Sequence, residues 1–294
     1  MFEEIRDRLL LVFRSGKYAQ LPPADLENLY GVSSVFLRLN ESRLGQLEYY
    51  TLLELHFFLC LLTLRDNEAK SALDRFGDKF EARSSEKLTV LRSYYIQVLG
   101  KKDALEYLDK ASAPLIKSPV DLTSKPVSRD PKSLRLVEKR KVALKSSSPT
   151  EYIENLLQYV DDSPLDYETW MELAEQYVDL GEYEKAYECV QEVLVGAPGA
   201  YVVWCRAGEI CRKIYDKDAR SKDVLKQAQR SFLRAIELCE LHARSWCGLL
   251  VTARDLKQTE IENLARTRLN QLVKDSATNQ SDLDRISEFL SLIN

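Results

Sequence analysis

The chain has 294 residues, 45% hydrophobic and 30% charged, with 10 Gly, 9 Pro, 2 His and a formal net charge of −4. That hydrophobic fraction supports a sizeable core and excludes wholesale disorder, while so few glycines and prolines argue against β-sandwiches and barrels. Two histidines leave little room for His-rich metal sites, and a mildly acidic chain has no global attraction to nucleic acid or anionic lipid.

The N-terminus, Met1-Phe-Glu-Glu-Ile-Arg-Asp-Arg8, lacks the basic-then-apolar order of a signal peptide. Apolar residues then recur at three- and four-residue spacing, which predicts helices over 2–15, 23–39, 46–64, 66–79, 84–99 and 101–112. The breaks fall at Ser15-Gly16, Pro22-Pro23, Gly45 and Gly100. The most apolar stretch, Tyr49 to Leu64, is too short to cross a bilayer and is interrupted by Glu54 and His56, so it predicts a deeply buried helix.

Residues 1–112 thus form an irregular N-terminal set of helical repeats, followed over 113–132 by an extended basic connector broken by Pro114, Pro119, Pro126 and Pro131. Nine basic residues between Lys117 and Lys145 face three acids, whereas Glu151 to Glu192 carries thirteen acids and the single base Lys185. Such blocks form solvated helix faces, pair with each other, or match partners of opposite sign.

A period organises the region 133–274, most clearly in 164–200 and 201–240. Trp170 and Trp204 are 34 residues apart, the length of a tetratricopeptide repeat. Trp170, Leu173 and Tyr177 line one face of a first helix, and Ala174 and Ala186 are small where two helices cross. Gly181 permits the tight turn, and Pro198 ends the second helix. The next unit repeats the scheme with Trp204, Gly208, Ala228, Phe232 and Ala235. Ala174 and Ala186 are 12 apart but Gly208 and Ala228 are 20 apart, so eight extra residues are expected in the turn, in the polar stretch Tyr215 to Asp223. Trp246 falls 42 residues after Trp204, so the register survives the insertion. A third unit follows Trp246, with a degraded second helix over 258–274. Within 275–294, a helix over about 281–292 is expected to cap the array. Upstream, 133–145 and 149–161 read as the two helices of an earlier unit, and 86–112 as a weaker copy. The expected fold is all-α, a right-handed superhelix (α-solenoid) of tetratricopeptide-type helix pairs with a concave groove.

The segments Ser163-Pro-Leu-Asp-Tyr-Glu-Thr-Trp-Met-Glu-Leu-Ala-Glu-Gln-Tyr177, Gly181 to Leu194 and Ala228 to Leu241, followed by Trp246, carry a closer likeness than the generic repeat. With Gly100 to Leu108 upstream, they resemble the family of subunit 2 of the endoplasmic reticulum membrane protein complex, its tetratricopeptide-repeat subunit. That resemblance implies a non-catalytic scaffold without cofactor, peripheral at the cytosolic face of the endoplasmic reticulum membrane. It also implies that the scaffold gathers cytosolic loops and termini of membrane-embedded subunits, in a complex that inserts transmembrane segments and tail anchors. Nucleic acid is not an expected partner, and membrane contact is indirect. The alternative is a generic tetratricopeptide adaptor that binds a short peptide of a soluble partner.

In many peptide-gripping tetratricopeptide proteins, Lys and Asn at the fifth and ninth positions of the first helix clamp a carboxylate. Here those positions hold Met171 and Glu175, Cys205 and Glu209, then Cys247 and Val251, so the cationic clamp is absent. Glu168, Met171, Glu175, Cys205, Glu209 and Arg244 instead predict a mixed apolar and acidic groove suited to a basic or amphipathic segment. The six cysteines fall inside apolar helical patterns without a Cys-x-x-Cys pair, as small hydrophobes in a reducing compartment. No cluster with zinc spacing surrounds His56 or His242, and no Gly-rich phosphate loop or nucleophile motif occurs, so no metal and no catalytic residue are expected.

Overall fold

The computed structural model describes residues 2–80, 85–98, 100–112, 134–217, 222–274, 288, 289 and 291. Among these there are fourteen α-helices and two short 3-10 turns, and no strand. The expected connector over 113–132 and most of the expected C-terminal helix over 281–292 lie outside the described residues. The chain divides into two compact units, Met1–Ser146 and Ser147–Asn294.

The first unit contains α1 (Phe2–Ser15), α2 (Pro23–Asn40), α3 (Gln46–Leu62), α4 (Asp66–Lys79), α5 (Glu86–Gln97), α6 (Lys101–Ser112) and α7 (Arg135–Lys145). Helix α3 is the apolar stretch of the sequence. Leu52, Leu55 and Leu59 on one side of it pack against Leu9 of α1 and Phe36 and Leu37 of α2. On the other side Leu53, Phe57 and Cys60 meet Ala69, Leu73 and Phe76 of α4 and Leu88 and Leu91 of α5. Burial on both sides explains why α3 is apolar nearly all round, as a central helix must be. Among the described residues, no helix is long and apolar enough to cross a membrane.

Within this unit α7 packs on α5 and α6. Val137 and Leu144 join Ala104 and Leu108 in one cluster. Two residues of the basic block are also used internally. Arg140 lies 3.5 Å over the Tyr94 ring and donates to Ser93 Oγ at 3.2 Å. The buried Lys141 sits 3.0 Å from both Asp109 and Glu138.

The second unit contains α8 (Pro149–Asp162), α9 (Tyr167–Asp179), α10 (Tyr183–Gly196), α11 (Tyr201–Lys217), α12 (Lys222–Leu238), α13 (Ala243–Asp255) and α14 (Thr259–Lys274). Helices α9 to α14 form three successive antiparallel pairs, each packed on the next. Leu173, Ala174, Ala186, Gly208, Ala228, Phe232, Ala235 and Trp246 are buried, whereas Trp170, Tyr177 and Trp204 are half-buried. One bond recurs at every joint. Trp170 Nε1 donates to the carbonyl of Pro164 at 2.9 Å, Trp204 Nε1 to that of Pro198 at 2.9 Å, and Trp246 Nε1 to that of Glu240 at 2.7 Å. Each indole reaches back six residues, so the repeat register is a repeated hydrogen bond as well as a repeated spacing.

The insertion in the second repeat is helical rather than a long turn. Helix α11 has 17 residues and α12 has 17, against 13 in α9 and 14 in α10. Tyr215 to Lys217 and Lys222 to Asp223, expected in the turn, continue these helices, and 218–221 lie outside the described residues. About one turn added to each helix returns every later side chain to the same face.

Three of the described turns between paired helices share one geometry. Gly181, with φ 75°, lets the Glu182 N–H reach the Tyr177 carbonyl at 2.9 Å. Lys257, with φ 59°, occupies the corresponding place between α13 and α14, and Gln258 N–H donates to the Ala253 carbonyl at 2.9 Å. Leu64, with φ 58°, does the same between α3 and α4, where Arg65 N–H donates to the Cys60 carbonyl at 2.8 Å. Left-handed backbone costs an L-residue about 1–2 kcal/mol, partly offset by the greater unfolded-state entropy of glycine. Lys257→Gly is therefore expected to stabilise the protein by about 0.5–1 kcal/mol in urea denaturation. An unchanged or lower midpoint would show that the Lys257 side chain contributes more than the strain removes.

Candidate interaction surface

The first helices of the three pairs, α9, α11 and α13, bring the expected groove residues to successive positions of the second unit. Glu168 is exposed on the first turn of α9, Met171 and Glu175 are half-buried, Glu209 is half-buried and Arg244 is exposed. Cys205 differs from the expectation. It is 1% exposed, its Sγ lies 3.8 Å from Glu209 Oε1, and it belongs to the core cluster with Phe232 and Trp246, so it lines no open surface.

The acids of this face are not free. Arg206 on α11 bridges them, with Nε donating to Glu175 Oε1 at 2.8 Å and Nη1 to Glu209 Oε2 at 3.0 Å. Arg244 on α13 donates through Nε to Glu209 Oε1 and through Nη2 to Glu209 Oε2, at 2.6 Å for the latter, so Oε2 is shared with Arg206. Burial opposes the Arg206 charge, but its bonds to both carboxylates outweigh that and hold its pKa above the usual arginine range. Six residues, or nearly two turns, further along α11, Arg212 Nη1 donates to Asp255 at 2.8 Å and to Thr252 at 3.3 Å. Along this face Glu175, Arg206, Glu209 and Arg244 thus form a ladder of alternating charges, a more balanced surface than the mixed apolar and acidic groove expected. Forked guanidinium–carboxylate bonds of this kind fix the spacing of neighbouring repeats.

Arg206 was not among the expected groove residues. Its position follows Cys205 and points away from the groove in an idealised register, but its long side chain reaches both carboxylates. The alternation of Glu and Arg at 175, 206, 209 and 244 was the available signal. The acidity of 151–192 is likewise spent locally in part. Asp166 accepts from Thr169 N–H at 3.2 Å at the start of α9, and from Tyr159 O–H at 3.0 Å. Glu151 accepts from Ser147 N–H at 2.7 Å, and Glu172 accepts from Tyr152 O–H.

All six cysteines are free. Burial pushes Cys189 and Cys205 up to about 11, and Cys211 and Cys247 up to about 12, from an ordinary 9.0. A group whose pKa rises on folding favours the fold below its unfolded value and withdraws that support as pH climbs toward the folded one. The denaturation midpoint is therefore expected to hold near neutral pH and to fall as pH rises from about 9 toward 11. Tyr177 and Tyr187, also raised by burial, act in the same direction. A midpoint unmoved at about pH 11 would show that these thiols ionise in place.

His242 precedes α13, with Nδ1 2.7 Å from Ser245 Oγ and its ring edge-on to Tyr201 at 5.0 Å. His56, in α3, has Nδ1 3.4 Å from Ser33 Oγ and Nε2 3.6 Å from Cys60 Sγ. The fold also brings Glu68 of α4 to this pair, although no such cluster was expected from sequence spacing.

No protein-family profile matches the chain. It is similar to "ER membrane protein complex subunit 2" of Saccharomyces cerevisiae, with 26% identity over 98% of this chain and 97% of the relative. It is also similar to "ER membrane protein complex subunit 2-A" of Xenopus laevis, with 23% identity over 86% of this chain and 76% of the relative. Its fold is similar to the crystal structure of the C-terminal part of a TPR repeat-containing protein from Cytophaga hutchinsonii, with a TM-score of 0.50 and 13% identity over 95% of this chain and 98% of that one.

Proposed function

We propose that this relative of ER membrane protein complex subunit 2 is a non-catalytic scaffold subunit of such a complex, peripheral at the cytosolic face of the endoplasmic reticulum membrane. In this reading its helical repeats gather cytosolic loops and termini of membrane-embedded subunits, and so support insertion of transmembrane segments and tail anchors. The observation that carries it is the end-to-end similarity to the yeast subunit, over 98% of one chain and 97% of the other. The tetratricopeptide-type stack supports it, because such stacks expose long surfaces suited to extended segments.

The partner segment is proposed to lie along Glu168, Met171, Glu175, Glu209 and Arg244, with Cys205 beneath as packing. Because Arg206 and Arg244 already satisfy Glu175 and Glu209, a purely basic peptide would have to displace an arginine to gain a carboxylate. An amphipathic segment carrying both signs, with an apolar side chain set against Met171, fits the ladder without breaking it.

Tagged full-length protein extracted from membranes in mild detergent is expected to co-purify with multi-spanning endoplasmic reticulum proteins. Glu168→Lys, at an exposed position, is expected to keep the fold and to lower recovery of the groove-bound partner about fivefold. Recovery of the wild type without membrane partners would overturn the scaffold reading. A single soluble partner with a short C-terminal motif would favour a generic peptide adaptor instead. Unchanged recovery with Glu168→Lys would move the docking face away from α9.

A further inference from the structure

Helix α3 presents His56 and Cys60 one helical turn apart, so both side chains leave the same face of the helix. The chain then reverses within a few residues. Leu64 adopts its left-handed conformation, Arg65 N–H closes onto the Cys60 carbonyl, and the first turn of α4 places Glu68 back beside the pair. An imidazole nitrogen, the thiol sulfur and a carboxylate oxygen of these three residues all lie within 4.8 Å of one another.

The separation of the first two donors is informative. Cys60 Sγ and His56 Nε2 are 3.6 Å apart. Zinc bonds of about 2.3 Å to sulfur and 2.0–2.1 Å to nitrogen, spread at a tetrahedral angle, place such donors about 3.5 Å apart. The imidazole is also held as a ligand would be. Its other nitrogen, Nδ1, lies 3.4 Å from Ser33 Oγ, and the Tyr30 ring stacks on it at 5.5 Å. Tyr30 O–H in turn donates to Glu68 Oε2 at 2.5 Å, so one residue of α2 orients both the imidazole and the carboxylate. Supporting contacts of this kind are what fix the geometry of a metal ligand set. The nearby cations are engaged elsewhere: Arg65 pairs with Glu27 at 3.0 Å and lies over the outer Tyr30 ring at 4.1 Å, and Arg75 faces Glu41 at 3.7 Å.

We propose that His56, Cys60 and Glu68 form a zinc site that ties α3 to α4. Nitrogen, sulfur and oxygen donors together suit this borderline-soft ion, and three protein ligands leave a fourth position for water. Glu68 is exposed while Cys60 is buried, so that fourth position opens on the Glu68 side. Binding releases the Cys60 thiol proton to solvent and leaves a thiolate–zinc bond; no electron is transferred. The site is independent of the groove on the second unit.

The full-length protein, stripped with a chelator and titrated with Co2+, tests this directly. One equivalent is expected to give the visible bands of four-coordinate cobalt and a near-ultraviolet thiolate charge-transfer band, both abolished by one equivalent of Zn2+. Cys60→Ala is expected to remove the charge-transfer band, and Cys247→Ala to leave it unchanged. Glu68→Gln, at an exposed position, is expected to weaken binding at least about tenfold. Folded wild type that takes up no cobalt, or a charge-transfer band that persists in Cys60→Ala, would overturn the proposal. Should Cys60→Ala fail to fold by circular dichroism, Glu68→Gln decides: wild-type affinity there overturns the three-ligand site.

Discussion

Phe232→Ala is expected to destabilise the protein by about 3–5 kcal/mol, the range for emptying a buried aromatic site. The ring is fully buried on α12 and is held on two sides by glycine. A Cβ on Gly208 of α11 would fall 2.7 Å from the ring, and one on Gly248 of α13 would fall closer still. The two glycines therefore form a slot, and the ring joins three helices from two successive repeats. Filling the slot from the other side has a related effect, and Gly248→Val is expected to cost about 1–3 kcal/mol through overpacking. Urea denaturation followed by circular dichroism measures both. A loss below about 1 kcal/mol for Phe232→Ala would show that α11 and α13 close over the vacated slot.

Ala186→Glu is expected to lose more than about 4 kcal/mol and to unfold the first clear repeat. Ala186 is 0% exposed, on the face of α10 packed against α9, where Leu173 and Ala174 are equally buried. A carboxylate there brings both surplus volume and a charge without a partner, and the second is the larger cost. Ala186→Ser is the control, with an expected loss of about 1 kcal/mol from one poorly satisfied hydroxyl. Limited proteolysis separates the outcomes, since the glutamate variant should be cut within α9 and α10 while the first unit stays protected. Wild-type resistance in Ala186→Glu would show that the two helices can slide apart locally and hydrate the charge.

The residues that made the repeat legible are those with a single physical task. Trp170, Trp204 and Trp246, Ala186 and Ala228, and Gly181 each mark a joint, a crossing or a turn, so spacing alone placed α9 to α13. Where one residue type substitutes for another in the same task, the pattern disappears. Leu64 and Lys257 take the left-handed turn position that Gly181 takes in the first repeat, and neither is recognisable as a turn residue. Ala69 follows Leu64 by five residues, as Ala186 follows Gly181, so the α3–α4 hairpin is built like a tetratricopeptide pair that composition conceals. The insertion in the second repeat is hidden in the sequence for a related reason. Tyr215-Asp-Lys217 and Lys222-Asp223 are polar, as loops are, but they contain no Gly or Pro to stop a helix.

Features that depend on side-chain reach or on the neighbouring helix were less legible. The register named Glu175, Glu209 and Arg244 but not Arg206, because a guanidinium on a long flexible stem is not confined to the face its Cα occupies. Helix α7 carries a pattern compatible with several partners, and its place on α5 and α6 follows from the shape of Ala104 and Leu108 opposite Val137 and Leu144. His56, Cys60 and Glu68 escaped notice because the third residue comes from the following helix, so their convergence requires the turn at Leu64.

The bond from each indole to a carbonyl six residues upstream equips the second unit with three intrinsic reporters, one at each joint. An indole proton held by a main-chain oxygen exchanges with solvent only when its joint opens, and its magnetic resonance signal stands apart from the backbone amides. In a nearly one-dimensional stack, openings spread from the ends inward. The order in which the signals of Trp170, Trp204 and Trp246 vanish in deuterated solvent would therefore read the direction of fraying, without a single label being introduced.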